Sequence, residues 1–219
     1  DTNYRAKTYL SMAIDGEDGV HVSYQYDVWD NHDIYYAYRS PTGVWTKQAI
    51  DSSASTNMGY WNDVAVDADN QPHVSYHDWA GDRLMYATKP AGGGWTKEAA
   101  DPGGSSDEVG VHNQIAVDSQ GTLHLFHADE WSNQELRHTQ QPVGGTWTTE
   151  VFSTESSVGE HASVFVDVDD GIHLVFRRNG ATSIRGLKYA YLSHGGTWVF
   201  EDVALGPHVV STDLVVSGD

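Results

Sequence analysis

The sequence has no cysteine, only three methionines and six prolines, and few cations: 12 Lys and Arg face 31 Asp and Glu, a formal net charge of −19 with His neutral. Without cysteine there is no disulfide scaffold, no Cys-ligated zinc site and no thiol nucleophile. The shortage of cations argues against nucleic acid or an anionic membrane surface as main partner, because both repel a protein of this sign. No uninterrupted apolar stretch approaches the roughly 18 residues of a membrane span. No motif of the Gly-x-Ser-x-Gly, His-Glu-x-x-His or phosphate-loop kind occurs. The chain opens on Asp1 without an apolar leader, and a mature exported chain or an excised fragment is expected.

What is present is aromatic and turn-rich: eight Trp, twelve Tyr and 22 Gly in 219 residues. That mixture favours short strands, and no segment keeps helical spacing over three turns.

The chain repeats itself. Ser11 to Tyr24 (SMAIDGEDGVHVSY) returns as Asp63 to Tyr76, Gln114 to His127 and Ser163 to Phe176. Each copy carries an Asp and, six residues later, a His: Asp15/His21, Asp67/His73, Asp118/His124 and Asp167/His173. The Asp positions step by 52, 51 and 49 residues. A second block follows each copy and ends on Trp45, Trp95, Trp147 or Trp198 with its neighbours, and a fifth copy opens at Asp213 to Asp219. Within one unit, four short alternating segments, A to D, are separated by Gly, Pro, Asn and Asp clusters. A four-stranded unit of about 50 residues predicts an all-β fold, a β-propeller of antiparallel blades. The expected blades are 10–62, 63–113, 114–162 and 163–212, with a partial fifth over 213–219. Four units and a remainder leave three outcomes: four blades with an extra strand, a homodimer completing a larger ring, or a chain cut from a longer protein.

The pattern Ala-Val-Asp, tight turn, His-Val-Ser-Tyr, Leu-x-Tyr-Ala, Gly-Gly-x-Trp-Thr-x-Glu resembles the degenerate propeller repeats of secreted bacterial proteins in the sialidase-like (BNR-repeat-like) superfamily. The resemblance covers Leu10 to Asp219 and implies a secreted propeller of a kind that hosts lectins, glycoside hydrolases, polysaccharide lyases and scaffolds. Two features depart from sialidases. The Asp-box Ser-x-Asp-x-Gly-x-Thr-Trp is reduced to Ser193-His194-Gly195-Gly196-Thr197-Trp198 and Gly144-Gly145-Thr146-Trp147, and neither a Phe/Tyr-Arg-Ile-Pro motif nor an arginine triad is visible among the seven arginines.

Recurrence separates scaffold from site. A residue type present in every blade solves a blade problem, so the Asp/His pairs and the strand-D tryptophans are expected to be structural. The acidic A-B turns Asp15 to Gly19 and Asp167 to Gly171 partly resemble Ca²⁺ loops but lack the full ligand run. The expectation is no cofactor and no metal ligand set, with Ca²⁺ at these turns as the alternative.

The B-C and D-A connections share one propeller face, and there the copies differ. B-C connections supply Trp29 with Asp30, His77 with Asp78 and Trp79, His127 with Asp129 and Trp131, and Arg177 with Arg178. D-A connections place Tyr9, Trp61, His112 and His161 at equivalent positions. Tryptophan beside Asp, Asn and His suits a pyranose, offering a flat apolar face and fixed hydrogen-bonding groups. A carbohydrate-binding face for an extracellular glycan or polysaccharide is therefore expected, with no catalytic residue assigned. The first alternative is an enzyme acting on an acidic polysaccharide. A lyase would use Arg177 or Arg178 with His127 and Tyr60, and a glycosidase two of Asp78, Asp129 and Glu130. The second alternative is a non-catalytic interaction scaffold.

Overall fold

Each repeat copy folds into one antiparallel sheet whose four strands run in sequence order. The computed structural model describes residues 4–28, 31–52, 57–104, 107–130, 135–153, 161–179, 185–205 and 213–214. Blade 1 is β1 (Tyr4–Ile14), β2 (Val20–Val28), β3 (Asn31–Arg39) and β4 (Trp45–Asp51). Blade 2 is β5 (Met58–Val66), β6 (Pro72–Asp78), β7 (Arg83–Thr88) and β8 (Thr96–Asp101). Blade 3 is β9 (Val109–Val117), β10 (Leu123–Asp129), β11 (Glu135–Gln141) and β12 (Thr148–Ser153). Blade 4 is β13 (Ser163–Val166), β14 (Ile172–Asn179), β15 (Arg185–Leu192) and β16 (Val199–Leu205). The propeller expectation holds. Of the fifth copy, Asp213 and Leu214 are described; the Leu214 N–H donates to Ser163 Oγ at 3.2 Å.

The repeated motif builds one end of every blade. In each A-B turn the first Asp accepts two backbone N–H groups on Oδ1, from Glu17 and Gly19 at 2.9 and 2.7 Å in blade 1. Its Oδ2 meets the His of the second strand, at 3.0 Å for Asp15–His21, 3.1 Å for Asp67–His73 and 2.9 Å for Asp167–His173. On its other nitrogen the same imidazole meets a strand-C hydroxyl: Tyr36 at 2.7 Å, Tyr86 at 2.6 Å and Tyr189 at 2.7 Å. A neutral ring satisfies both contacts by donating from Nε2 to the carboxylate and accepting the Tyr O–H on Nδ1. The sequence-predicted structural role of the Asp/His pair thus extends, in blades 1, 2 and 4, to a Tyr on the adjacent third strand.

The apolar core lies between blades. One cluster joins Ile34, Tyr36 and Ile50 to Met58, Val74 and Tyr76, and two further clusters do the same for the next seams. The strand-D tryptophans pack across these seams as expected. Trp95 meets Tyr36 at 5.0 Å between ring centroids, Trp147 meets Tyr86 at 5.1 Å, and Trp198 meets Phe152 at 4.6 Å. Trp45 belongs to the first blade and is 50% exposed. On the same blade Leu10, Met12 and Ile14 point away from blade 2, at 65, 61 and 62% exposure, whereas Ala13 between them packs into the first seam. This is the period-2 alternation of a strand with one covered face. Near the axis, Asp63 joins three blades by accepting from Ser11 Oγ and, at 2.9 Å, from the Ile115 N–H.

Candidate functional site

The first strands do not run smoothly past the face opposite the A-B turns. Register shifts interrupt the β5/β6 pairing between Tyr60 and Asp63 and the β9/β10 pairing between Phe126 and Ala128. At these points Trp61, His112 and, just before β13, His161 adopt left-handed backbone with φ of 45, 52 and 53°. Such φ values are uncommon for residues with a Cβ and rarer still for bulky ones. A bulge of this kind re-aims a side chain out of the sheet.

Local chemistry holds the bulges in place. Asn62 and Asn113 follow the bulged residues and send Nδ2 back to the carbonyls of Gly59 and Gly110, at 2.9 and 2.8 Å. Their Oδ1 atoms accept from Ser23 and Ser75 of the preceding blade, at 2.7 and 2.6 Å. The glycines have φ of 81 and 90°, and a Cβ on Gly110 would lie 2.8 Å from Leu84 Cα. The Gly-x-x-Asn spacing in Gly59–Asn62 and Gly110–Asn113 is the sequence signal for this bulge, and sequence reasoning passed over it.

The result is a ring of aromatic side chains around a central cavity of about 510 Å³ that reaches all four inner strands. Tyr9 stands 5.3 Å from Trp61, Trp61 stands 5.2 Å from His112, and His112 stands 4.6 Å from His161. Tyr60 continues this wall outward, 5.8 Å from Trp61 and 5.3 Å from Trp79, whose indole is 47% exposed. Beside this ring, Glu130 Oε1 lies 3.2 Å from His112 Nε2. That hydrogen bond, with the nearby imidazoles, holds the Glu130 carboxyl below its ordinary range despite partial burial. Burial, with Glu130 nearby, raises the Tyr9 phenol.

The structure therefore brings together Trp61, Trp79, His112 and His161, with Tyr9, Tyr60 and Glu130. Trp29, Asp30 and Trp131 lie outside the described residues. The remaining candidates sit elsewhere than the channel mouth. His77 and His127 were expected to follow strand B, but β6 and β10 continue through Asp78 and Asp129, so both rings point into the sheet packing and are fully buried. His77 donates from Nδ1 to the Val109 carbonyl at 2.9 Å. His127 accepts the Gly110 N–H at 3.1 Å and contacts Thr139 Oγ1 at 2.9 Å. Burial pushes the His127 imidazole down to about 4. Buried Asp78 closes its own turn, accepting from Ala80 N, Gly81 N and Arg83 Nε at 3.1, 3.1 and 2.8 Å. Buried Asp129 is paired with Arg137 at 2.9 Å. Arg177 is half-buried on β14, and Arg178 reaches Asp202 of β16 at 3.5 Å; neither lines the cavity.

No protein-family profile matches the sequence, and no curated protein matches it. Solved structures match its fold. A protein of unknown function from Dyadobacter fermentans superposes with a TM-score of 0.69 at 12% identity, covering 95% of this chain and 72% of that one. An α-L-arabinofuranosidase from Podospora anserina, solved with cellotriose, gives 0.59 at 15% identity, covering 90% of this chain and 67% of that one. A Hadza microbial sialidase gives 0.61 at 14% identity, with 91% of this chain spanning 46% of the enzyme. The sialidase-like resemblance of the repeats is thus matched at the level of the fold.

Proposed function

We propose that this propeller is an extracellular carbohydrate-binding protein that holds a neutral glycan on its B-C/D-A face. The observation that carries the reading is the continuous aromatic wall Tyr9–Trp61–Tyr60–Trp79, ending in a half-exposed indole and adjoined at Trp61 by the His112–Glu130 pair. Aromatic faces take the C–H side of a pyranose, while a carboxylate and imidazoles fix its hydroxyls. Sharing a fold with sugar-cleaving enzymes is consistent with this and does not by itself assign the activity. A neutral glycan is favoured over a polyuronate because the face carries Glu130 and the whole chain a net charge of −19, which repels polyanions.

A glycoside hydrolase is the second reading, and Glu130 favours it: among the three carboxylates considered, its side chain is 38% exposed and hydrogen-bonded to an imidazole. The lyase reading has no such support, since His127 is sealed inside blade 3. A screen of neutral oligosaccharides and polyuronates against the folded protein tests the proposal, with reducing ends measured on every glycan bound. Binding to a neutral glycan without release of reducing ends is expected. Release that disappears in Glu130→Gln would convert the assignment to hydrolase, and binding to no glycan, or to polyuronates first, would overturn it.

A further inference from the structure

The seam between blades 2 and 3 carries a group the glycan face does not use. His77 is fully buried, and its Nδ1–H goes to the Val109 carbonyl at 2.9 Å. That contact fixes the tautomer and leaves a lone pair on Nε2. Among the described residues this buried Nε2 has no hydrogen-bond partner. Leaving such an atom unsatisfied in the interior is destabilising. The ring is wedged edge-on against Trp61 and Trp79, at 5.5 and 6.0 Å between centroids, so it cannot swing out to water without breaking the aromatic wall.

Two carboxylates lie close to the same imidazole. One ligand atom each from His77, Asp82 and Glu108 lie within 4.8 Å of one another. They come from three segments, the end of β6, the turn before β7 and the stretch before β9. The Val109 N–H pins the last two together by donating to the Asp82 carbonyl at 3.4 Å.

We infer that His77, Asp82 and Glu108 form a binding site for a divalent transition metal of the zinc class. The donor set selects the metal. Imidazole nitrogen suits zinc and its neighbours, whereas Ca²⁺ takes six to eight oxygens and Mg²⁺ keeps most of its water. One imidazole and two carboxylates balance a 2+ charge and supply three ligands, the number that leaves a coordination position for water. An imidazole that donates its other N–H to a backbone carbonyl is the arrangement metal-bound histidines use to fix their orientation. Exposed Asp82 gives the ion a path from solvent. The ion would clamp blade 2 to blade 3 and lock the ring that backs Trp61 and Trp79.

Calorimetric titration of chelator-treated protein with zinc chloride, alongside calcium chloride, tests the site independently of any glycan. One zinc per chain is expected, with a thermal midpoint that rises on loading. Asp82→Asn alters an exposed residue and should weaken zinc binding by at least about tenfold. Glu108→Gln and His77→Gln should abolish it, and Asp169→Asn in an exposed A-B turn should leave it unchanged. If His77→Gln does not fold, the two carboxylate variants decide. No zinc uptake by folded protein, undiminished affinity in both carboxylate variants, or a preference for calcium would overturn the inference.

Discussion

At the A-B turn end of the propeller one solution is built four times, while at the opposite end equivalent positions hold Tyr9, Trp61, His112 and His161. The first end spends its polar groups on itself: each turn carboxylate accepts two backbone N–H groups, and in blades 1, 2 and 4 an imidazole as well. The second end holds left-handed backbone at bulky residues and turns their rings toward a cavity. The A-B turns also hold left-handed backbone, but on the short polar residues Asp18, Asn70 and Asp170 that tolerate it; bulky rings held that way and turned toward a cavity are the pattern of a site grafted on a scaffold.

Blade 3 is the exception that tests the first half of this contrast. There His138 replaces the strand-C Tyr, lying 3.1 Å from His124 and 3.2 Å from Glu150. A neutral His138 that donates from Nδ1 to Glu150 must accept from His124 on Nε2. His124 then has no proton left for Asp118, and that contact lengthens to 3.5 Å. Burial, reinforced by the neighbouring His124, pushes His138 down to about 4.

The contrast can be broken or sharpened by experiment. The largest effect is expected at the seams: Trp147→Ala should cost about 3–5 kcal/mol in denaturant unfolding, and Trp45→Ala, at a half-exposed indole, less than about 1 kcal/mol. Equal losses would show that repetition does not report packing. Acid comes next. Unfolded histidines take up protons near pH 6.5, whereas buried His127 and His138 resist until about pH 4. Between these values the unfolded chain binds more protons, so stability is complete above pH 6.5 and declines as pH falls toward 4, by about 3 kcal/mol or more. His138→Tyr, restoring the residue type of the other blades, should flatten part of that decline; an unchanged profile would remove His138 from the explanation. Asp67→Ala should cost about 2–3 kcal/mol, since it strips two backbone donors and one imidazole of their acceptor. Glycan affinity of the protein that remains folded should stay within about twofold, because the two ends share no partners.

Much of the scaffold was legible in the sequence because it recurs: strand number, blade length, the Asp/His pairs and the seam tryptophans are all periodic. Tyr36, Tyr86 and Tyr189 recur too, at the fourth position of their blocks, but nothing in that spacing sets a strand-C hydroxyl against the strand-B imidazole. The site was half legible. Trp61, His112 and His161 were identified by equivalent position, but nothing in a Trp or His announces positive φ, and the Gly-x-x-Asn brace was the available clue. His77, His127, Asp78 and Asp129 were placed on the open face because strand B was ended about two residues too soon, and a residue at a strand's end alternates between core and solvent with each such step. Glu108 meets His77 and Asp82 only across a seam, a proximity no local spacing encodes.

The central claim is that the varied end of the propeller is the binding end. Its most direct test is calorimetric titration of the best glycan from the screen into wild type and Trp79→Ala, with thermal midpoints measured in parallel. The account predicts at least about tenfold weaker binding, or about 1.4 kcal/mol, with the midpoint nearly unchanged because the indole is half exposed. Unaltered affinity in a folded Trp79→Ala protein would contradict it.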